Sequence, residues 1–153
     1  MPERRTLDQK RAAAAWIAVQ EVAGLTTDVK KEYRALARGF APMIQTNGLG
    51  PSCAFLYAKA YKGEKKNGGK NAHALLLSHL ESWLRGRVNT MSEQHRLTEW
   101  LMTTCSSEEY RRTTVEVIAY LNWLRRFAEG ALPPEKEGAA GTTAGTTRGQ
   151  EHA

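Results

Sequence analysis

The residues of this chain that could carry acid–base or metal chemistry are few, and their spacing does not bring them together. His73 and His79 lie six residues apart, on different sides of one helix, so they cannot hold one metal ion together. Glu108 and Glu109 are better explained as acidic residues that stabilise a helix N-terminus than as a catalytic pair. The other histidines are His95 and His152, and the sequence contains no HExxH or HxxxH pattern. We therefore expect no catalytic site, no metal site and no cofactor.

The glycine-containing segment Gln45–Gly50, QTNGLG, predicts a turn and not a nucleotide-binding loop. It contains a G-x-G spacing, but a nucleotide-binding loop follows a strand, and no strand pattern precedes this segment. Two glycines and an asparagine indicate a tight turn with a positive φ at Asn47 or Gly48. Pro51 then occupies a position typical of the first turn of a helix.

The longest amphipathic segment, Ser106 to Glu129, is predicted to be the helix around which the rest of the chain packs. Ser106 and Glu109 have the spacing of a capping box. Gly130, followed by Pro133, is expected to end the helix. The apolar positions that fall on one arc of this helix are Tyr110, Val117, Leu121, Leu124 and Ala128.

Helical spacing also predicts helices over residues 7–23, 28–40, 51–61 and 72–84. The first begins with a capping box of Thr6 and Gln9, and its predicted buried arc includes Trp16. Gly39 and Pro42 are expected to end the second helix, with a separate short turn after it.

The rest of the chain predicts loops, one more helix and no strand. Segment 61–71, YKGEKKNGGKN, is expected to be a lysine-rich loop. A capping box of Thr90 and Glu93 is predicted to begin a helix that includes Trp100. His79 falls within the apolar stripe of its helix and is expected to have a hydrogen-bonding partner. The predicted fold is all-α, a compact bundle of five to six helices.

Composition favours a cytoplasmic, basic protein with one domain over residues 1–130. The net charge of +6 and the pI of about 9.5 favour an anionic partner, nucleic acid first. Cys53 and Cys105 lack zinc-ligand spacing and are expected to be buried and reduced. The longest apolar run is too short to span a bilayer, so no membrane partner is expected. Residues 131–153 are rich in Gly, Thr and Ala and are expected to form a disordered tail.

Four segments in this order resemble the small α-helical subunit of the Cmr-type (type III-B) CRISPR RNA-guided effector complex. They are QKRAAAAWIAVQEV (9–22), KEYRALARGF (31–40), QTNGLGPSCAFLYAKA (45–60) and LNWLRRFAEG (121–130). The resemblance runs from about Leu7 to Gly130, and the chain departs from the family pattern at Pro51, Ser52 and Cys53. The segments that carry the resemblance do not include the lysine-rich loop or the tail.

This resemblance implies a non-catalytic subunit that stacks in several copies as a minor filament. The partners it implies are adjacent copies of itself and the backbone, large and head-type Cmr subunits. It also implies that the duplex of guide RNA and target RNA lies in the groove beside this filament. Base pairing reads the sequence in such a complex, so the protein needs only suitable charge and shape.

Candidate site residues follow from the side of the last helix opposite its apolar stripe, which carries Arg112, Ala119, Trp123 and Arg126. The candidates for RNA phosphate contacts are Lys10, Arg11, Arg112 and Arg126. The candidates for subunit interfaces are Trp123, Asn47 and Gly48, and Trp123 is expected to face a neighbouring subunit. Two alternatives stay open: a stand-alone helical nucleic-acid-binding protein and a helical protein-interaction module.

Overall fold

The computed structural model describes residues 4–67, 71–88, 90–91 and 96–134, with the backbone alone for 61–67. This part of the chain contains helices and no strand, which confirms the all-α prediction. The helices are α1 (Leu7–Ala23), α2 (Thr27–Asn47), α3 (Leu49–Asn67), α4 (Ala72–Arg85), α5 (Leu97–Thr103) and α6 (Ser107–Ala131).

Helix α6 lies against both α1 and α2, and its buried side packs into the centre of the bundle. Val117, Leu121, Leu124 and Ala128 on this side are each no more than 1% exposed, which confirms four of the five predicted stripe positions. Tyr110, the fifth, is partly buried. Helix α4 packs against α2 and α3 and adds a run of buried leucines to the same core.

Two of the predicted capping boxes are present at the helix starts. In α1 the Thr6 hydroxyl accepts the Gln9 N–H at 3.0 Å, and the Gln9 side chain accepts the Thr6 N–H at 2.8 Å. In α6 the corresponding Ser106–Glu109 distances are 3.1 and 2.9 Å. Each box satisfies two backbone donors that a helix start leaves unpaired.

The prediction that α2 ends near Phe40 was wrong, because the helix continues through Gly39 and Pro42 to Asn47. Pro42 lacks an N–H, but Pro42 and Arg38 are both exposed, so the helical bond lost lies on the solvent side. Phe40 and Ile44 on the opposite side are fully or almost fully buried. Burial of these two side chains, about 1.5–3 kcal/mol each, offsets the cost of the proline.

The predictions for 51–61 and 61–71 also placed the end of α3 too early. The helix begins at Leu49, before Pro51, and continues to Asn67. A glycine inside a helix costs only about 1 kcal/mol relative to alanine, so Gly63 does not end a long helix. Residues 68–70 lie outside the described part of the chain.

Thr90 does not cap α5, contrary to the sequence prediction, since the helix begins at Leu97. The buried Glu81 carboxylate on α4 accepts the Leu97 N–H at 2.9 Å and takes the place of a local cap. The Thr90 hydroxyl instead accepts the Trp100 indole N–H and donates to Glu109. Glu93 lies outside the described residues.

The structure also differs from the predictions in the burial of two side chains and in the end of α6. Trp16 was assigned to the buried arc of α1 but is 50% exposed. Helix α6 does not end at Gly130 but includes Ala131, and Leu132 after it is buried. Residues 135–153 of the predicted tail lie outside the described part. Cys53 is buried as expected, whereas Cys105 is half-buried, and both are free thiols.

The turn between α2 and α3 confirms the predicted positive φ, at Gly48 and not at Asn47. Gly48 has φ +94° and ψ 161°, a backbone conformation that is almost exclusive to glycine. The next turn is held by the Tyr110 hydroxyl, which accepts the Gly50 N–H at 2.7 Å. A Cβ atom on Gly50 would lie only 3.1 Å from that hydroxyl, so α6 closely approaches the start of α3.

We predict that Gly48→Ala lowers the free energy of unfolding by about 1–3 kcal/mol, because alanine must adopt the same strained backbone. Urea unfolding followed by circular dichroism measures this loss. Gly39→Ala is the matched control: Gly39 is helical and has open space around it, so alanine there should add about 0.5–1 kcal/mol. Equal stability of the wild type and Gly48→Ala would contradict the structural role of this turn.

Candidate functional site

An open cleft of about 370 Å³ lies where the start of α1 meets α6 and the chain segment after α4. Arg112, one of the predicted RNA contacts, lines this cleft and is exposed. Arg87, which follows α4, also lines the cleft, and Leu7 and Val88 form its apolar wall. Two carboxylates, Glu109 and Glu116, complete the charged lining.

Arg11, a second predicted RNA contact, is committed to a partner within the protein. Its Nε lies 2.6 Å and its Nη2 2.9 Å from the two carboxylate oxygens of Glu116, and its Nη1 lies 3.2 Å from Asp8. Its side chain is only 18% exposed. Hydrogen bonding to Glu116 raises the pKa of Arg11, so the guanidinium remains charged. Arg11 therefore positions α1 against α6 and has few donors left for RNA.

Glu116 receives three hydrogen bonds, since the Trp83 indole N–H also donates to its Oε2 at 2.8 Å. Burial alone would raise the pKa of Glu116, but the hydrogen bonds from Arg11 and Trp83 lower it below its ordinary value. Trp83 also stacks on Tyr120, with ring centroids 5.7 Å apart. This network joins α1, α4 and α6 behind the cleft.

The other two cationic candidates, Lys10 and Arg126, are exposed. Arg126 lies fourteen residues beyond Arg112 on α6, about 21 Å along the helix axis. Lys10 is next to Arg11 on α1 but does not line the cleft. The structure thus brings Arg11 and Arg112 to the same region and places Lys10 and Arg126 on the surface away from it.

Trp123 does not stand free on a solvent face. It is partly buried, and its indole N–H donates to Asp8 of α1 at 3.0 Å. This hydrogen bond lowers the pKa of Asp8. The Trp123 ring lies 5.8 Å from Phe127, and Phe127 in turn meets the exposed Trp16 edge-to-face at 5.3 Å. Helix α1 therefore covers part of Trp123, and contact of this side chain with a neighbouring subunit stays a prediction.

Asn47 and Gly48, the remaining interface candidates, lie at the turn between α2 and α3. Asn47 is exposed and Gly48 is half-buried. A Cβ atom on Gly48 would lie 3.7 Å from the Tyr110 hydroxyl, so this glycine already faces a neighbour within the protein. Only Asn47 of this pair presents a side chain to solvent.

Comparison with known proteins decides the family. A family model described as "CRISPR-associated protein (Cas_Cmr5)" matches residues 7–131, which include the helices α1 to α6 of the described residues. The chain belongs to the Cmr5 family. It is 30% identical over 129 residues to the Thermus thermophilus protein named "CRISPR system Cmr subunit Cmr5", covering 84% of this chain and 97% of that protein.

A solved structure of a Cmr5 family protein shows that the fold is shared. The X-ray crystal structure of a CRISPR-associated Cmr5 family protein from Thermus thermophilus superposes with a TM-score of 0.64 at 26% sequence identity. The match covers 84% of this chain and 99% of that one. The region that resembled the small Cmr subunit in sequence is therefore the region that folds as a Cmr5 bundle.

Two exposed side chains of this Cmr5 chain were missed from the sequence. Arg87 follows the end of α4, where the sequence has no periodic pattern, so nothing in the sequence linked it to Arg112. Trp16 was assigned to the core, although its neighbour Ile17, 69% exposed, offered a signal. Adjacent positions on a helix point about 100° apart, so two large apolar neighbours do not both fit one narrow buried stripe.

His79 has the partners that its position predicted, and they join three helices. Its Nε2–H donates to Glu21 of α1 at 2.9 Å, and the Tyr33 hydroxyl of α2 donates to its Nδ1 at 2.7 Å. The neutral imidazole satisfies both hydrogen bonds, and burial lowers the pKa of His79 despite the opposing effect of Glu21. The Glu21–His79–Tyr33 network is structural, since Tyr33 is completely buried.

We predict that the free energy of unfolding falls as the pH is lowered from about 7 to about 5.5. The folded state keeps His79 neutral in a range where the unfolded imidazole, with a pKa of about 6.5, takes up a proton. The unfolded state then binds more protons, so acid favours unfolding, by at most about 1.4 kcal/mol per pH unit for one histidine. The stabilisation is complete above about pH 6.5 and is lost below it.

Urea midpoints measured at several pH values for the wild type and His79→Gln test this prediction. The variant should be less stable at about pH 7.5 but should lose less on acidification. His73→Gln is the matched control. Burial also lowers the pKa of His73, but its ring is only half-buried, so this variant should change the pH dependence of stability less than His79→Gln does. An identical pH dependence in the wild type and His79→Gln would show that His79 is not responsible.

The described residues contain no group of three or more His, Cys, Asp or Glu side chains that could hold a metal ion. Among these same residues, no helix is both long and apolar enough to cross a bilayer.

Proposed function

We propose that this chain is a non-catalytic small subunit of a type III-B CRISPR ribonucleoprotein that acts in antiviral defence in the cytoplasm. The observation that supports this most strongly is the match to the Cmr5 family from residue 7 to residue 131. The Thermus thermophilus relative is named as a subunit of the CRISPR Cmr system, and the two chains align over almost the whole of that protein.

In this proposal several copies stack side by side as a minor filament. They contact the backbone, large and head-type subunits and line the groove that holds the duplex of guide and target RNA. Base pairing supplies the sequence recognition, so the subunit contributes charge and shape. The net charge of +6 and the exposed side chains of Lys10, Arg112 and Arg126 suit this role, because cations on the surface attract the phosphates of RNA.

Stacking of identical copies in one direction requires two different contact surfaces on each copy. The surface carries large apolar side chains that could be covered in this way. The most exposed of them are Trp16, Ile17, Met102 and Val115. Trp16 is the strongest candidate for an interface, because exposed tryptophans are enriched at protein contacts and Phe127 already supports its ring.

Affinity purification of the tagged chain from its own cells, with and without ribonuclease, tests the proposal. Mass spectrometry should identify the other Cmr subunits, and the complex should contain more than one copy of this chain. Recovery of RNA without any Cmr subunit would support a stand-alone RNA-binding protein instead. Recovery of protein partners unrelated to the Cmr system would support a general interaction module.

A further inference from the structure

Arg87 is held in a defined orientation, although it lies in the connection after α4 and is exposed. Its guanidinium carbon lies 4.8 Å from the centroid of the Trp83 ring, a cation–π contact. Trp83 is itself fixed by its hydrogen bond to Glu116 and its stacking on Tyr120. The guanidinium face is thus occupied by the indole, while the N–H donors at its edge make no hydrogen bond with any described residue.

The carboxylates that share the cleft with Arg87 are already satisfied within the protein. Glu116 accepts three hydrogen bonds from Arg11 and Trp83. Glu109 accepts the Ser106 N–H and the Thr90 hydroxyl, and these bonds lower the pKa of Glu109. The guanidiniums of Arg87 and Arg112, by contrast, form no ion pair within 4 Å among the described residues. At longer range Arg87 helps to lower the pKa of Glu116, and Arg112 helps to lower that of Glu109. Because neither arginine is tied up in a close ion pair there, their N–H donors can still reach an anion in the cleft.

From this arrangement we propose that the cleft binds a phosphate of the RNA backbone, with Arg87 and Arg112 as its donors. This inference rests on the proposed RNA-facing role and adds a specific site to it. Arginine forks match the geometry of phosphate oxygens. The exposed Leu7 side chain, 42% accessible, lies beside them and can cover a ribose or a base.

The charge distribution favours RNA over an acidic protein segment. Lys10 and Arg126 are exposed outside the cleft, so the cations spread over a distance that suits a polyanion. The volume of about 370 Å³ is ample for a phosphate with its ribose. A short acidic peptide would use the two arginines of the cleft only and would leave the outlying cations without a role.

Nuclear magnetic resonance of the full ¹⁵N-labelled chain tests the proposal, because it detects weak binding. Hexauridylate is titrated in, and the Trp83 indole N–H signal is followed together with those of the other tryptophans. This signal should shift and saturate in the wild type. Arg87→Gln and Arg112→Gln should each weaken binding about four-fold at about 0.15 M salt and reduce the salt slope by about 0.7. Arg112→Gln leaves the contact between Arg87 and Trp83 intact.

Arg38→Gln is the matched control, since Arg38 is an exposed arginine on α2 and its replacement removes the same charge. The proposal is overturned if both cleft variants bind like Arg38→Gln, or if millimolar hexauridylate does not shift the Trp83 signal. It is also overturned if a hexaglutamate peptide saturates the shift at equal or lower concentration, which would assign the cleft to an acidic protein. The Arg87→Gln variant is also purified from cells to test whether it still assembles with the Cmr subunits. Assembly without RNA binding in the cleft would overturn the cleft proposal alone, whereas absence of Cmr subunits from the wild-type purification would overturn the proposed function.

Discussion

Simultaneous replacement of Lys10, Arg112 and Arg126 by glutamate is expected to weaken retention of target RNA by the assembled complex on the order of 50-fold. Each phosphate contact to a single strand contributes about four-fold at about 0.15 M salt through counterion release, and three contacts multiply. The substitutions also lower the net charge by six units, from +6 to zero. Filter binding of labelled target RNA at several salt concentrations measures the loss, which should shrink as the salt concentration rises.

The matched control changes the same net charge elsewhere on the protein: Arg38, Lys59 and Arg111 are exposed and are replaced by glutamate together. This variant should retain RNA to within about three-fold of the wild type. Both variants must co-purify with the other Cmr subunits, so that RNA contact is tested and not assembly. Equal retention of RNA by both variants would show that Lys10, Arg112 and Arg126 do not contact the RNA.

Arg11 is left intact in this experiment, although the sequence grouped it with the other three cations. A helical projection shows which residues share a side of one helix, but not which side a second helix covers. Lys10 and Arg11 are adjacent in the sequence, and both are cationic at neutral pH. Only the packing of α1 on α6, which brings Glu116 within 2.6 Å of Arg11, separates an exposed cation from a committed one.

Capping residues in the sequence predicted two helix starts correctly, because a capping box involves only neighbouring residues. The Thr6–Gln9 and Ser106–Glu109 boxes fixed two helix starts, because the bonds that cap a helix are made within four residues. The end of α2 could not be predicted in this way. Pro42 is a local signal for termination, whereas burial of Ile44 is a tertiary gain that appears only when the bundle is assembled.

The cleft could be predicted only in part for the same reason. Arg112 was identified from its position opposite the apolar stripe of α6. Arg87 was not, because its orientation depends on Trp83, and Trp83 depends on Glu116 from another helix. The family resemblance suggested the proposed function but not this site, since it rests on segments that do not include residue 87.

Replacement of Arg11 by methionine is expected to lower the free energy of unfolding by about 2–3 kcal/mol. Methionine keeps much of the side-chain volume but removes both hydrogen bonds to Glu116, whose side chain is only 16% exposed. Hydrogen bonds to charged groups are worth about 1.5–3 kcal/mol, and an unpaired, partly buried carboxylate adds a desolvation cost. Urea unfolding at about pH 7.5 measures the change.

The neighbouring Lys10→Met is the matched control, because Lys10 is exposed and should contribute within about 0.5 kcal/mol. A double-mutant cycle with Glu116→Gln then isolates the pair. Loss of the carboxylate removes the charge that Arg11 neutralises, so Arg11→Met should cost much less in the Glu116→Gln background. Additive effects of the two substitutions would show that Arg11 acts independently of Glu116 and would return it to the set of free cations available to RNA.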